Sequence, residues 1–221
     1  LQSDHLFLLV GTNPLPNYIA ANLLARSKAT IYLLHSADSA VANTALLAEF
    51  LDEQLSLKFE ALNERPAAKE EQPRYQITIA RENCVIDASD GPAIENKVGS
   101  LLEPLGADAA IGLNYTGGTK PMAVHSHRVV AATLSDGVSP KFPKAILSYL
   151  DPRDLSMHFD HLAHPVPVES PVSVTLAEVA ELPFIVNNSF EGSTALMRML
   201  NRDELVGFAD LKMIFLGNVP P

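Results

Sequence analysis

The stretch Asn114-Tyr-Thr-Gly-Gly-Thr-Lys120 gathers residue types that can hold an anion. Two adjacent glycines, Gly117 and Gly118, let the backbone turn tightly and bring its N–H groups close to a ligand. Thr116 and Thr119 add hydroxyl donors, and Lys120 adds a mobile point charge. The run Pro121 to Ala132 reads as a helix, whose start contributes free N–H groups and the positive end of its dipole. The chemistry this predicts is phosphate binding; an ordinary Gly-Gly turn between strand and helix is the competing reading. The string is not G-x-x-x-x-G-K-[ST], because Pro121 follows Lys120, so no Ser or Thr is placed to hold magnesium. It is not G-x-G-x-x-G either, which removes the dinucleotide fingerprint.

The elements that must position these residues alternate. Ala109 to Leu113 is an apolar run that reads as a buried strand leading into the motif. Upstream, His5 to Gly11 reads as a strand, Asn17 to Arg26 as a helix and Thr30 to His35 as a second strand. Ser39 to Leu55 reads as a long amphipathic helix capped by Asp38 or Ser39, and Leu57 to Leu62 as a third strand. Asn63 to Arg74, with Pro66 and Pro73, reads as an exposed loop. Tyr75 to Ala80 and Cys84 to Asp87 flank Arg81-Glu-Asn83 and suggest a hairpin. Ile94 to Leu105 reads as a helix, and Lys144 to Leu150 and Met157 to Phe159 complete the strands. Strands alternating with helices predict an α/β, doubly wound, mostly parallel Rossmann-like sheet. Ligands of such sheets bind beyond the carboxyl ends of the strands, near the switch in strand order. The loop Thr12-Asn-Pro-Leu-Pro16 lies at one such end, so Thr12 and Asn13 are candidates to touch base or phosphate; a plain turn is the alternative for Asn13-Pro14.

Asn-x-Thr-Gly-Gly-Thr-Lys-x-Met, Asn114 to Met122, resembles the ligand-binding motif of CARF domains, the CRISPR-associated Rossmann fold. Leu8-Leu-Val-Gly-Thr-Asn-Pro-Leu-Pro16 resembles the first strand and loop of the same family, and the likeness runs from about Leu6 to about Leu150. CARF domains sense cyclic oligoadenylates made by type III CRISPR complexes, and they pair across a two-fold axis with the ring held over it. The resemblance implies a ligand site at Thr12, Asn13, Pro14, Asn114, Thr116, Gly117, Gly118, Thr119, Lys120 and Met122. It implies a cyclic oligoadenylate ligand, cyclic tetra-adenylate favoured, with no cofactor or metal. It also implies a homodimer in the cytoplasm of a prokaryote, regulating an effector domain that lies outside this chain. Any membrane tether would belong to a segment outside the chain as well.

Composition sets the outer bounds. At 221 residues the chain can form one sizeable core. With 47% apolar and 19% charged residues it is globular. A net charge of −10 argues against duplex nucleic acid, which needs a basic face, but not against a small anion held by local N–H groups. Cys84 is the one cysteine, which excludes an internal disulfide and a multi-cysteine zinc site; a small buried hydrophobe is its expected role. No apolar run approaches the roughly 18 residues of a spanning helix. No signal peptide is visible, and the start at Leu1 reads as that of a trimmed or processed piece. Pro165, Pro167 and Pro171 divide a Rossmann-like domain, 1–164, from a partly helical extension or connector, 165–221. Within that extension, 174–182 and 192–208 have helical spacing.

Several patterns mimic other chemistry. Arg153 and His158 fit the R-x4-H string of HEPN ribonucleases, without the all-helical setting that string needs. Asp90 with Glu95-Asn-Lys97 imitates a nuclease core but opens a helix where that core needs a strand. His125 and His127 point to different helix faces, and His161 and His164 have no evident ligand partners. Two functional classes follow. One is a sensor that dimerises around its ligand. The other is a ring nuclease that cleaves the same ligand by placing a ribose 2′-hydroxyl in line with the phosphate. The second would want a catalytic base near the motif, and the sequence offers none that is compelling.

Overall fold

The computed structural model describes residues 1–36, 44–64, 75–134, 141–151 and 156–167. Strand β1 (Ser3–Leu9) is central, and its alternation decides the layers. Leu6, Leu8 and Val10 face one hydrophobic cluster, while Phe7 and Leu9 face another. A strand buried on both faces must be apolar throughout, which is why His5 gives way to an unbroken apolar run from Leu6 to Val10.

Helix α1 (Leu15–Leu24) and helix α2 (Thr44–Glu64) cover the first face, through Leu15, Ile19, Leu51, Leu55 and Phe59. Helix α3 (Gly91–Leu102) and helix α4 (Lys120–Leu134) cover the second, through Ile94, Val98, Leu102, Met122 and Val130. In α3 the buried residues Ile94, Val98 and Leu102 recur every four positions, and Asp90 caps the helix by accepting from the Ala93 amide at 3.1 Å.

The remaining strands are β2 (Ala25–Ser36), β3 (Thr78–Ala80), β4 (Val85–Ile86), β5 (Ile111–Asn114), β6 (Ile146–Asp151), β7 (Ser156–Phe159) and β8 (Val166–Pro167). Their order is β3-β2-β1-β5-β6-β7-β8, with β4 pairing the far end of β2. The strands from β3 to β6 along this order are parallel; β7 pairs antiparallel with β6, and β8 antiparallel with β7. This is the mostly parallel, doubly wound Rossmann-like α/β sheet. The order reverses between β1 and β5: β1 leads to β2 on one side, and the chain returns to β1's other edge with β5.

Two elements differ from the sequence reading. Leu57 to Leu62 is not a strand but the continuation of α2. Leu51, Leu55 and Phe59 are buried at a spacing of four, so the helical stripe runs through the segment, and Leu57 stays exposed. Tyr75–Ala80 and Cys84–Asp87 do not form a hairpin. β3 and β4 each pair in parallel with β2, so the chain keeps its direction between them; a tight turn closed by the Cys84 amide on the Arg81 carbonyl takes up the extra residues, and Arg81 ties to Asp52 and Glu49 of α2. The cap at Asp38 or Ser39, the loop from 65 to 74, Arg153 and the extension from 168 onward lie outside the described residues.

Candidate functional site

The two glycine-bearing loops meet where the strand order reverses. Gly11 follows β1, and Gly117-Gly118 follows β5. A Cβ on Gly11 would lie 2.8 Å from the Gly118 amide nitrogen, so the loops touch backbone to backbone. A Cβ on Gly117 would collide with the Leu9 carbonyl oxygen. Gly118 has φ +74°, in the left-handed region that favours glycine, and a Cβ there would meet Leu9 and Met122. All three glycines are thus required by close approach or by φ.

An open cavity of about 430 Å³ lies over this junction. It is lined by Gly11, Thr12, Asn13 and Pro16 from the first loop and by Tyr115, Thr116, Gly117 and Gly118 from the second. Tyr149 and Leu150 of β6 close the third side. The structure therefore brings Thr12, Asn13, Thr116, Gly117 and Gly118 to one cavity. No charged side chain lines it; the Gly117 and Gly118 amides have no protein partner among the described residues.

The other residues singled out in the sequence hold the loops in place. Asn114 is fully buried. Its Nδ2 donates to Ser148 Oγ at 3.2 Å and contacts Met157 Sδ at 3.3 Å, while its Oδ1 accepts from the Thr116 hydroxyl at 2.8 Å and the Thr116 amide at 3.3 Å. The Thr116 hydroxyl in turn accepts from the Leu150 amide at 2.6 Å, which fixes the turn to β6. Thr119 caps α4: its Oγ1 accepts from the Met122 amide at 3.3 Å and donates to the Ala88 carbonyl at 3.1 Å. Met122 is buried beneath Gly118. Lys120, the first residue of α4, is exposed, has no carboxylate partner among the described residues, and stands outside the cavity lining. Pro14 is buried at the N-cap of α1, and Asn13 Oδ1 accepts from the Leu15 amide at 3.0 Å, closing the first loop.

Several site residues escaped the sequence reading. Asn17 of α1 is fully buried; its Nδ2 donates to the Leu9 carbonyl at 2.9 Å, while its Oδ1 has no partner among the described residues and lies beside Gly117. Tyr115 sits in the motif's variable position. Its hydroxyl donates to Asp160 Oδ1 at 2.7 Å, and His127 Nε2 shares a 2.7 Å hydrogen bond with Asp160 Oδ2. Burial, then the bond to Asp160, pushes the Tyr115 phenol well above the ordinary tyrosine range, so it remains a donor. Tyr149 carries no local signal at all; only the β5–β6 pairing brings it beside Tyr115.

The nuclease-like pattern falls on one helix, with Asp90 as the N-cap of α3 and Glu95 and Lys97 within it. Glu95 lies on α3, paired with His125 at 2.7 Å and Arg128 at 3.2 Å. No group of three metal-ligating side chains is found among the described residues, and no described helix is long and apolar enough to cross a membrane.

No protein-family model and no curated protein matches the sequence. Solved structures do match it. Can2 from Sulfobacillus thermosulfidooxidans, solved in complex with cyclic tetra-adenylate, is similar with a TM-score of 0.57 at 15% identity, over 81% of this chain and 39% of that one. Protein VC1899 from Vibrio cholerae is similar with a TM-score of 0.57 at 11% identity, over 80% of this chain and 38% of that one. At these identities the likeness is one of fold. The chain spans about two fifths of the length of these structures.

Proposed function

We propose that this chain is a CARF domain that senses a cyclic oligoadenylate, with cyclic tetra-adenylate favoured, and that it dimerises around the ligand to regulate an effector. The observation that carries the reading is the contact of the Gly11 and Gly117-Gly118 loops at the β1/β5 switch point, under an open cavity. The motif residues quoted above fall at that junction, and a structural neighbour of the same fold was solved with cyclic tetra-adenylate. The Gly117 and Gly118 amides would take a phosphate, and Lys120 at the rim would add charge once the ligand is seated. Asn114, Thr116 and Thr119 act in this reading chiefly by shaping the turn, since their polar groups already have protein partners.

The dimer follows from the ligand's shape. A single glycine turn with a single lysine cannot surround a ring carrying several phosphates, whereas two turns related by a two-fold axis can. Mixing the purified chain with cyclic adenylates of different ring sizes, and resolving bound from cleaved product, tests the reading. Tight binding of the intact ring supports a sensor. Linear products supporting multiple turnovers would make it a ring nuclease, and no binding of any ring would remove both.

A further inference from the structure

We infer that Tyr115 and Tyr149 form a stacking subsite for the purine base of a nucleotide, beside the glycine turn that takes its phosphate. The inference rests on the nucleotide reading above and adds to it the part of the cavity that the glycine loops do not explain. Both rings line the cavity, with centroids 5.6 Å apart and a tilt of 40°. Each is held by residues outside the lining. Tyr149 stacks on His158 across the β6–β7 register, at 4.8 Å and 9°. Tyr115 meets His127 edge-on at 5.3 Å and 84°, and Asp160 grips its hydroxyl while also binding His127. The result is a row of four rings, His127, Tyr115, Tyr149 and His158, carried by α4, the end of β5, β6 and β7.

Ligand chemistry follows from what shares the cavity. A bare phosphate would need the amides but no aromatic wall. An apolar molecule would use the rings, Pro16 and Leu150 but leave the amides of Gly117 and Gly118 stranded. A nucleotide uses both. Rings already fixed by neighbours lose little freedom when a base settles on them, so the stacking energy is not spent on ordering the wall. Asn13, whose Oδ1 is engaged by the Leu15 amide, keeps its Nδ2 free of protein partners among the described residues, and can donate to a ring nitrogen of the base.

The test uses the full chain and cyclic tetra-adenylate carrying 2-aminopurine in place of one adenine, whose emission falls when it stacks on an aromatic ring. Binding to the wild type should quench it. Tyr149→Leu should weaken binding about 5- to 150-fold, the range for losing one base–aromatic stack, and should restore the emission of the bound ligand. Tyr149→Phe should keep affinity and quenching. A Leu variant that binds and quenches like the wild type would overturn the inference. If that variant fails to fold by circular dichroism, the wild type decides: bound ligand with undiminished emission overturns the subsite. If calorimetry shows that the wild type binds no unmodified ring, the sensor reading fails separately. Adenosine monophosphate then replaces the ring, with ribose 5-phosphate as its base-free control. Preference for the nucleotide upholds the subsite, and equal affinity or no binding overturns it.

Discussion

At the scale of single residues, Gly118 is the most demanding position. Its φ of +74° and the 2.9 Å approach of a built Cβ to Leu9 leave no room for a side chain. Gly118→Val should abolish ligand binding, and the left-handed backbone should cost roughly 1–2 kcal/mol of stability besides. Circular dichroism near that of the wild type, with a lowered melting temperature and no heat of binding in calorimetry, is the expected result; retained tight binding would reduce Gly118 to a turn residue. Lys120 makes the opposite kind of contribution. It is exposed and has no protein partner among the described residues, so Lys120→Ala should leave the melting temperature unchanged. It should weaken cyclic tetra-adenylate binding by about 1.5–3 kcal/mol if it meets a phosphate in the complex. Unchanged affinity in the same titration would remove Lys120 from the site.

At the scale of elements, the site depends on how α4 begins. Thr119 joins the helix to its own amide at Met122 and, through Ala88, to the loop before α3. Thr119→Ala should cost about 1 kcal/mol, the usual worth of an N-cap. That corresponds to a fall of about 2–4 °C in melting temperature for a chain of this size. Thr119→Ser should recover most of it. Thermal melts of the three proteins check this, and a Ser variant no better than Ala would mean that the cap hydroxyl does not matter. The start of α4 was legible in the sequence because glycine, threonine and proline act locally on the backbone that contains them. The course of α2 past Leu55 was not, because Leu57, Phe59 and Ala61 alternate like a strand, and only the packing of Phe59 beneath the sheet shows the period to be four. The parallel pairing of β3 and β4 with β2 was equally hidden, since a short turn between two strands looks the same whether they pair with each other or with a third. The glycine turn could be read from its own residues, but the wall opposite could not. Tyr115, Tyr149, His158 and Asp160 are scattered along the chain, and only strand register assembles them.

At the scale of the whole molecule, the cavity is open and carries a single glycine turn, whereas the proposed ring ligand carries several phosphates. One cyclic tetra-adenylate should therefore bind per two chains. Light scattering during a ligand titration should show a dimer at saturation, with calorimetry giving a stoichiometry of one half. A monomer binding one ring per chain would refute the symmetric arrangement. The interface should involve α4, the helix that starts at the glycine turn and leaves Val124 and Arg128 exposed. The helix after the first loop is a poor candidate, because most of α1 is already buried within its own chain. Affinity should fall only modestly with added salt, since no charged side chain lines the cavity and Lys120 is the one charged residue of the proposed site.

The meeting of β1 and β5 also has a consequence in time. The first edge of β1 finds β2 after a short local excursion, but the second waits for a strand far along the chain, as the Asp4 bond to the Ala110 amide across 106 positions records. Pairings that distant close slowly. Until β5 has been made, that edge of β1 has no native partner, and an unpaired edge on an apolar strand favours wrong pairings. Because the same closure creates the cavity, a ligand seated there would favour chains that have completed it, and binding would act as a certificate of finished folding.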